Sequence, residues 1–367
     1  MRDRDLLYTS KTVQVSFALE PIYNVITILE DLALCNSCQG MGEWHYQTAD
    51  ALPTEFMQRH RLIFGVLDFM FHEIVPIENC TGFSAYIEAF AAFDPFVLRD
   101  AVLERVIEVA EQWADAEAKI DPPPSHAQLL SNANVYMRCY KSVYPDDYDD
   151  ETIVEAHTLL NDPIKLHELA VQHMRAVWNE VLAPEWERVL PTLQASVAAF
   201  KKLDYSDLTL FEAIRAVTGR DVRAHWERTL SHIEKVIFFP TAHSGPYLNK
   251  FISGKTLRLA FTARLPKGIQ TGSSTLTRAQ LLIWLNALSD DSRLRILELL
   301  THEDQLRAQD IIEQIGLSQS VISRHLSQLS ATGYLIERRE EGIKYYSLNL
   351  ERLEETTNAL LHFLRKK

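Results

Sequence analysis

The stretch from Ala308 to Leu348 restricts the fold of this chain more than any other part of its 367 residues. It begins with a short predicted helix, from about Gln309 to Ile315, which Gly316 follows. Glycine adopts the left-handed conformation that ends a helix without a steric penalty. A second predicted helix runs to about Thr332 and stops at Gly333. We therefore predict a helix-turn-helix in this stretch.

The second helix of this pair has one apolar and one polar face. Ile322, Leu326 and Leu329 follow the i, i+4, i+7 spacing of a buried stripe. Ser318 is placed to cap the helix, because its hydroxyl can accept a free backbone N–H of the first turn. Short polar side chains and arginine allow close approach to base edges and phosphates. They occupy the outer face at Ser320, Ser323, Arg324 and Ser327.

A β-hairpin is predicted directly after the second helix. Its strands are Leu335 to Arg338 and Ile343 to Leu348, and a tight turn at Glu340, Glu341 and Gly342 joins them. Two helices, a turn and a hairpin in this order predict a winged helix-turn-helix. The basic side chains of the predicted wing are Arg338, Arg339 and Lys344, followed by the alternating pair Tyr345 and Tyr346.

These residues also carry a resemblance to a known family. The segment ALSDDSRLRILELL, from Ala287 to Leu300, and the later LSQSVISRHLSQLSATGYLIERREEGIKYYSL resemble the ArsR-type bacterial winged-helix repressors. The resemblance covers about 90 of the 367 residues. Asp291 departs from it, since the family usually has proline there. Many metal-sensing members carry a cysteine pair in the short helix before the turn, and residues 310–315 contain none, which argues against metal sensing at that position.

The resemblance and the polar face together predict a DNA-binding surface. Arg324 is the best candidate for reading a guanine, because its guanidinium fork matches the O6 and N7 acceptors. His325 follows the family pattern, and its ring is expected to serve either DNA contact or the fold. The predicted contact residues are Ser318, Gln319, Ser320, Ser323, Arg324, His325, Arg338, Arg339, Lys344 and Tyr345.

Two helices that flank the winged helix carry apolar stripes with little core of their own to cover. They run from about Arg278 to Leu288 and from Glu351 to Arg365. The resemblance implies a homodimer formed through these first and last helices. The alternative is that both stripes pack on the rest of the chain. The residues predicted to form the dimer contact are Leu281, Leu285, Leu353, Leu360 and Leu364.

Length and charge predict more than one domain. A chain of this size exceeds what one small core needs. We expect a helical regulatory domain at residues 1–266, a linker at 267–275 that contains glycine, serine and glutamine, and the winged helix at 276–367. The last of these has 12 basic and 13 acidic side chains, whereas the remainder has 25 and 37. Attraction to DNA must therefore come from a local patch.

No secretory signal or long apolar run is present, so we expect a cytoplasmic protein without a membrane partner.

The large domain is predicted to be mainly helical with one small sheet, so the whole chain is mainly α. Residues 12–17 alternate like a half-buried strand, and residues 236–264 contain an apolar strand and a hairpin signal. We expect the first strand to pair with the later ones. Helices are predicted at about 22–34, 54–75, 83–93, 96–119, 127–140, 151–160, 164–181, 184–203, 208–217 and 222–233.

No catalytic constellation or cofactor motif is found, so we predict no enzyme and no cofactor. We predict a dimeric DNA-binding transcriptional regulator whose DNA affinity is controlled by a ligand or partner of the large domain, and the sequence leaves repression or activation open. An apolar space between helices of the large domain can hold a small molecule. Cys35 and Cys38 form a C-x-x-C. Three interpretations of this pair stay open: incidental thiols, a redox pair, or metal ligands that lack two identified partners. Two rival functions also stay open, namely a bifunctional protein with an enzymatic large domain and a protein-interaction adaptor.

Overall fold

The computed structural model describes residues 12–35, 40–71, 80–113, 120–144, 148–220, 222–264, 266, 278–340 and 343–365. The described part of the chain is 65% helical with two small sheets, which confirms the predicted mainly α class. The helices of the large region are α1 (Pro21–Leu34), α2 (Glu43–Ala51), α3 (Thr54–Arg61), α4 (Phe83–Ala91), α5 (Pro95–Trp113), α6 (His126–Ser131), α7 (Ala133–Lys141), α8 (Asp150–Leu160), α9 (Pro163–Val177), α10 (Ala183–Phe200), α11 (Leu210–Thr218) and α12 (Arg223–Leu230).

The largest apolar core lies between α1 and the helices that follow it. Pro21 opens α1 as predicted, because proline has no N–H to lose at a first helical position. All but a few residues of α1 are buried, so this helix runs through the middle of the large region. Aromatic side chains such as Phe64, Phe71 and Phe90 stack against one another in this core. The interior is thus filled by side chains that α1 and its neighbours share.

A four-stranded sheet ties the beginning of the chain to the end of the large region. Its strands are β1 (Gln14–Phe17), β2 (Lys235–Thr241), β3 (Lys250–Ser253) and β4 (Thr256–Thr262), in the order β1-β2-β4-β3. Strands β1, β2 and β4 are parallel, and β3 is antiparallel to β4. The predicted pairing of the first strand with the later ones is therefore confirmed. One face of the sheet packs Phe17 and Phe238 on Phe200 of α10, and the other packs Phe239 near Tyr23 of α1.

Several helices differ from the sequence prediction. The helix predicted over 54–75 ends at Arg61, where a π-helical turn (Leu62–Val66) and a 3-10 turn (Asp68–Phe71) follow. A Cβ at Gly65 would overlap the Tyr148 hydroxyl, so the chain bends where that ring packs. The single helix predicted over 127–140 is two helices, because the Asn132 side chain accepts the backbone N–H groups that start α7. Helix α2 was not predicted.

The C-terminal elements confirm the predicted winged helix-turn-helix fold. They form a core around Ile296, Ile311, Leu326 and Tyr334. A two-residue strand that was not predicted adds to the hairpin to make a three-stranded sheet. The elements are α13 (Arg278–Ala287), α14 (Asp291–His302), β5 (Leu306–Arg307), α15 (Ala308–Ile315), α16 (Gln319–Thr332), β6 (Leu335–Glu340), β7 (Ile343–Leu348) and α17 (Leu350–Arg365).

The winged helix contacts the large region through a seam of backbone and arginine contacts. Arg220, just after α11, donates to Ser330 O of α16 at 3.2 Å. Arg352 of α17 donates to Gly219 O at 3.2 Å. A methyl group at Gly40 would lie 3.0 Å from Gln328 Nε2, so this segment touches α16 as well. The predicted linker at 267–275 lies outside the described residues.

Candidate nucleic-acid interface

Helix α16 is anchored by the apolar stripe that the sequence predicted. Ile322, Leu326 and Leu329 are at most 1% exposed and pack in the core of the winged helix. Gly316 and Gly333 have φ of 77° and 84°, so both glycines end their helices in the left-handed conformation. Burial of one stripe fixes the rotation of the helix about its axis. That rotation decides which side chains face outward.

The outward face of α16 is open to solvent from its first residue to Ser327, whereas Ala331 near the end of the helix is buried. The residues on it that are exposed are Ser318, Gln319, Ser320, Ser323, Arg324 and Ser327. Ser318 has extended backbone angles at the start of the helix, but its side chain makes no capping bond. Its hydroxyl lies 3.3 Å from Ser320 Oγ instead, so the predicted cap was wrong. Five of the six carry short hydroxyl or amide groups, and Arg324 adds a positive charge.

The wing stands beside this face as an antiparallel hairpin. Strands β6 and β7 pair from Leu335 opposite Leu348 to Glu340 opposite Ile343. Arg338 and Lys344 are exposed, and the side chain of Arg339 lies outside the described residues. Residues directly opposite each other in such a pair share a face of the sheet. Arg338 therefore shares a face with Tyr345.

The two tyrosines of the wing alternate as predicted. Tyr346 is 6% exposed and packs in the core, while Tyr345 is half-buried on the other face of the hairpin. Strand β5 places Arg307 opposite Tyr345. Arg307 was not among the predicted contact residues. Its guanidinium is held by Asp310 with contacts of 2.6 and 3.0 Å, so its charge is largely neutralised at the foot of the wing.

His325 lies inside the fold and not on the outward face of α16. It is 5% exposed, and its Nδ1 is 4.0 Å from Asp290 Oδ1. Burial lowers the pKa of His325, and the nearby carboxylate of Asp290 opposes that shift. Asp290 also caps α14 by accepting the backbone N–H of Arg293 at 3.0 Å. The structure therefore favours the fold role of His325, and its placement among the DNA contacts is corrected.

The residues predicted to form the dimer contact on α13 and α17 differ in how exposed their side chains are. Leu281 is 3% exposed, so its predicted contact with a partner is corrected. Leu285, Leu353 and Leu360 are half-buried. Leu364 is 67% exposed, as the prediction requires. Neighbouring positions that the prediction omitted are also exposed, namely Leu282, Leu361 and Phe363.

The cysteine pair is only partly visible in the structure. Cys35 is buried at the end of α1, and Cys38 lies outside the described residues. Within the described ranges, no group of three or more His, Cys, Asp or Glu side chains could hold a metal ion. The same ranges contain no helix that is long and apolar enough to cross a bilayer.

Comparison with known proteins matches the same segment. Residues 290–337 match the profile described as bacterial regulatory protein, arsR family. The transcriptional repressor SdpR of Bacillus subtilis is 38% identical over 80 residues, which cover 88% of that protein and 22% of this chain. The arsenic resistance transcriptional regulator ArsR1 of Pseudomonas putida is 39% identical over 69 residues, 54% of its length. The cadmium resistance transcriptional regulatory protein CadC of Listeria innocua is 37% identical over 59 residues, 50% of its length.

A winged helix whose second helix presents an open polar face, with a basic hairpin beside it, defines a DNA-binding regulator. This chain belongs to the ArsR family of bacterial regulatory proteins. The relatives align with about a fifth of the chain, so the larger helical region has no counterpart in these matches. The resemblance found in the sequence is thus confirmed.

Proposed function

We propose that the protein is a homodimeric transcriptional repressor that places α16 of each subunit in a major groove. The observation that carries the proposal is the polar face of α16 from Gln319 to Ser327, which is exposed, while the helix meets the large region only nearer its end, at Gln328 and Ser330, among the described contacts. Arg324 reads a base, while Ser320 and Ser323 contact base edges or nearby phosphates. Lys344 and the arginines of the wing contact the backbone.

Two subunits join through the free sides of α13 and α17. Leu282, Leu361, Phe363 and Leu364 are each at least 40% exposed, and large apolar side chains grouped in this way mark contact surfaces. A two-fold dimer of winged helices then reads two half-sites roughly 10 base pairs apart, or a multiple of that distance, on one face of the duplex.

The helical region at residues 1–266 is a regulatory domain in this proposal, joined through the linker at 267–275 to the winged helix at 276–367. A ligand that binds one geometry of the dimer better than another changes DNA affinity by that difference. The proposal assigns the region no enzymatic step, and several of its buried histidines serve the fold through contacts with backbone or with each other. His60, for example, contacts His173 and Leu29 O.

Selection of bound sequences from a random pool of double-stranded DNA tests the proposal. The full chain should enrich an inverted repeat with half-sites one or two helical turns apart. Ser323→Glu should abolish enrichment, because a carboxylate on the outward face repels phosphates. Ser131→Glu, on the exposed surface of α6, is the matched control and should enrich the same repeat. A pool without any enriched sequence would instead favour the protein-interaction adaptor.

A further inference from the structure

A pocket of about 290 Å³ lies between the start of α1, the start of α4 and the joined helices α9 and α10. Trp178, Trp186 and Phe83 supply its aromatic walls, and Val25 and Leu190 add aliphatic ones. Both tryptophans are half-buried, so part of each ring is free to face an occupant. Trp178 begins a π-helical turn, Trp178–Leu182, and such turns recur at functional sites.

The lining of the pocket decides which molecules fit it. None of its lining side chains carries a charge, and the polar ones are Gln194, Ser84 and Thr81, which are exposed. An ion would lose its hydration without gaining a partner there. Planar rings gain from offset or edge contacts with tryptophan and phenylalanine. The pocket therefore suits a small uncharged aromatic molecule with one or two hydrogen-bonding groups.

The walls of the pocket also hold the loop that follows β2. Glu185, next to Trp186 on α10, contacts His243 Nε2 at 2.5 Å, and both residues are 8% exposed. Asn24, next to Val25 on α1, donates at 2.6 Å to Pro240 O, which lies near the end of β2 just before the loop. The His243 ring also stacks on Trp44, with centroids 4.8 Å apart. A change in the position of either wall therefore acts on the loop at buried contacts.

Arg220 bonds the same loop to the winged helix. Arg220 donates to Pro246 O at 3.0 Å with one nitrogen and to Ser330 O of α16 at 3.2 Å with another. Gly245 packs against the backbone of Gly40, which in turn touches Gln328 of α16. The path from pocket to α16 is thus continuous: Trp186 and Glu185, then the loop 243–246, then Arg220, then Ser330.

We propose that this pocket is the effector site of the protein, that its ligand is a small uncharged aromatic molecule, and that Arg220 transmits occupancy to α16. The proposal rests on the proposed function only for its last step, since binding in the pocket does not require DNA. Two discrete arrangements of the loop, one favoured by the ligand, are sufficient to change DNA affinity.

Binding is tested with N-phenyl-1-naphthylamine, an uncharged fluorescent probe, and with its charged analogue 8-anilino-1-naphthalenesulfonate. The full chain should bind the neutral probe in a saturable way and the anion at least tenfold more weakly. Ala85→Phe, which fills the pocket, and Gln194→Trp, which covers its exposed mouth, should each weaken binding of the neutral probe at least tenfold. If the neutral probe does not bind in a saturable way, or if both variants bind it as tightly as the unaltered chain does, this pocket is not the binding site.

Transmission is tested by measuring DNA affinity with and without the neutral probe. A change of fivefold or more is expected for the unaltered chain, the lower end of typical allosteric couplings. Arg220→Lys should keep probe binding and lose most of the coupling, because a compact ammonium replaces a planar guanidinium whose two terminal nitrogens each bond one of the carbonyls. Arg138→Lys, exposed on α7, is the control and should keep both. If the probe still changes DNA affinity to the same extent in Arg220→Lys, Arg220 does not transmit occupancy of the pocket to α16. A chain that binds the probe but no DNA sequence overturns the proposed function and leaves the site standing.

Discussion

The role of Arg324 in reading a base can be tested separately from the roles of its neighbours on α16. It is exposed on the outward face of α16 between the buried Ile322 and Leu326. Arg324→Ala should weaken binding to the selected sequence by about 1–3 kcal/mol, roughly 5- to 150-fold, and should relax the choice of base at one position of each half-site. Fluorescence anisotropy on a set of operator variants measures both effects. An equal loss on every sequence would assign Arg324 to a phosphate.

His173 shows how a single buried histidine makes stability depend on pH. Burial lowers its pKa to about 3, and its Nε2 lies 3.0 Å from His60 Nδ1. Since the folded pKa is depressed, the unfolded chain binds a proton first, near pH 6.5, and stability is lost as the pH falls below that value. His173→Gln keeps a donor toward His60 and removes this titration.

The His173→Gln variant should therefore gain about 2 kcal/mol relative to the unaltered chain between pH 7.5 and pH 5. The comparison is between variants, because burial raises the pKa of Asp31 to about 7 and of Glu30 to about 8, and these groups act in the opposite direction. Urea unfolding at both pH values measures the difference. If the free energies of unfolding of the variant and the unaltered protein change by the same amount between the two pH values, His173 does not have the lowered pKa.

At the scale of elements, the sequence predicted what local chemistry determines. Gly316 and Gly333 end their helices, and the stripe through Ile322 is buried, because backbone freedom and apolar spacing act within a few residues. The pairing of β1 with β2 was also predicted, since a lone strand needs a partner. His325 was left undecided, because only the folded chain brings Asp290 beside it.

Features that depend on distant contacts were missed for the same reason. The π-helical turn before Leu67 follows from a tyrosine that packs on Gly65 from over 80 residues away. The effector pocket and the role of Arg220 require α1, α10 and the loop after β2 to be placed together. The spacing of residues along the chain does not predict that arrangement, although the arrangement determines how α16 is held.

The wing is an element whose contribution should be uniform over DNA sequences. Lys344 is exposed on β7, opposite Arg339, and a lysine bound to a phosphate carries no sequence information. Lys344→Ala should weaken binding to all sequences about equally and reduce the slope of log affinity against log salt by about 1. Lys165→Ala, exposed on α9, is the matched control and should leave the slope unchanged. A sequence-dependent loss would instead place Lys344 at a base.

At the scale of the whole molecule, the described residues form two bodies of very different size, and arginine side chains bond backbone across the seam between them. Arg220 and Arg352 bond backbone carbonyls across the seam, and Gln328 is fully buried against the Gly40 segment with both amide atoms unpartnered in the described part of the chain. Buried amides without partners lower the stability of an interface. The seam is therefore suited to a second arrangement of the winged helix, which an effector can favour.

In the proposed dimer each subunit contacts one half-site, so we expect DNA affinity to depend strongly on dimer formation. Leu364 is 67% exposed near the end of α17. Leu364→Asp places a charge in the proposed apolar contact and should convert the protein to a monomer by analytical ultracentrifugation, with at least a hundredfold loss of affinity for the inverted repeat. Leu203→Asp, at a 39% exposed leucine after α10, is the matched control and should remain dimeric. A Leu364→Asp protein that sediments as a dimer and binds DNA normally would move the contact to another surface of the chain.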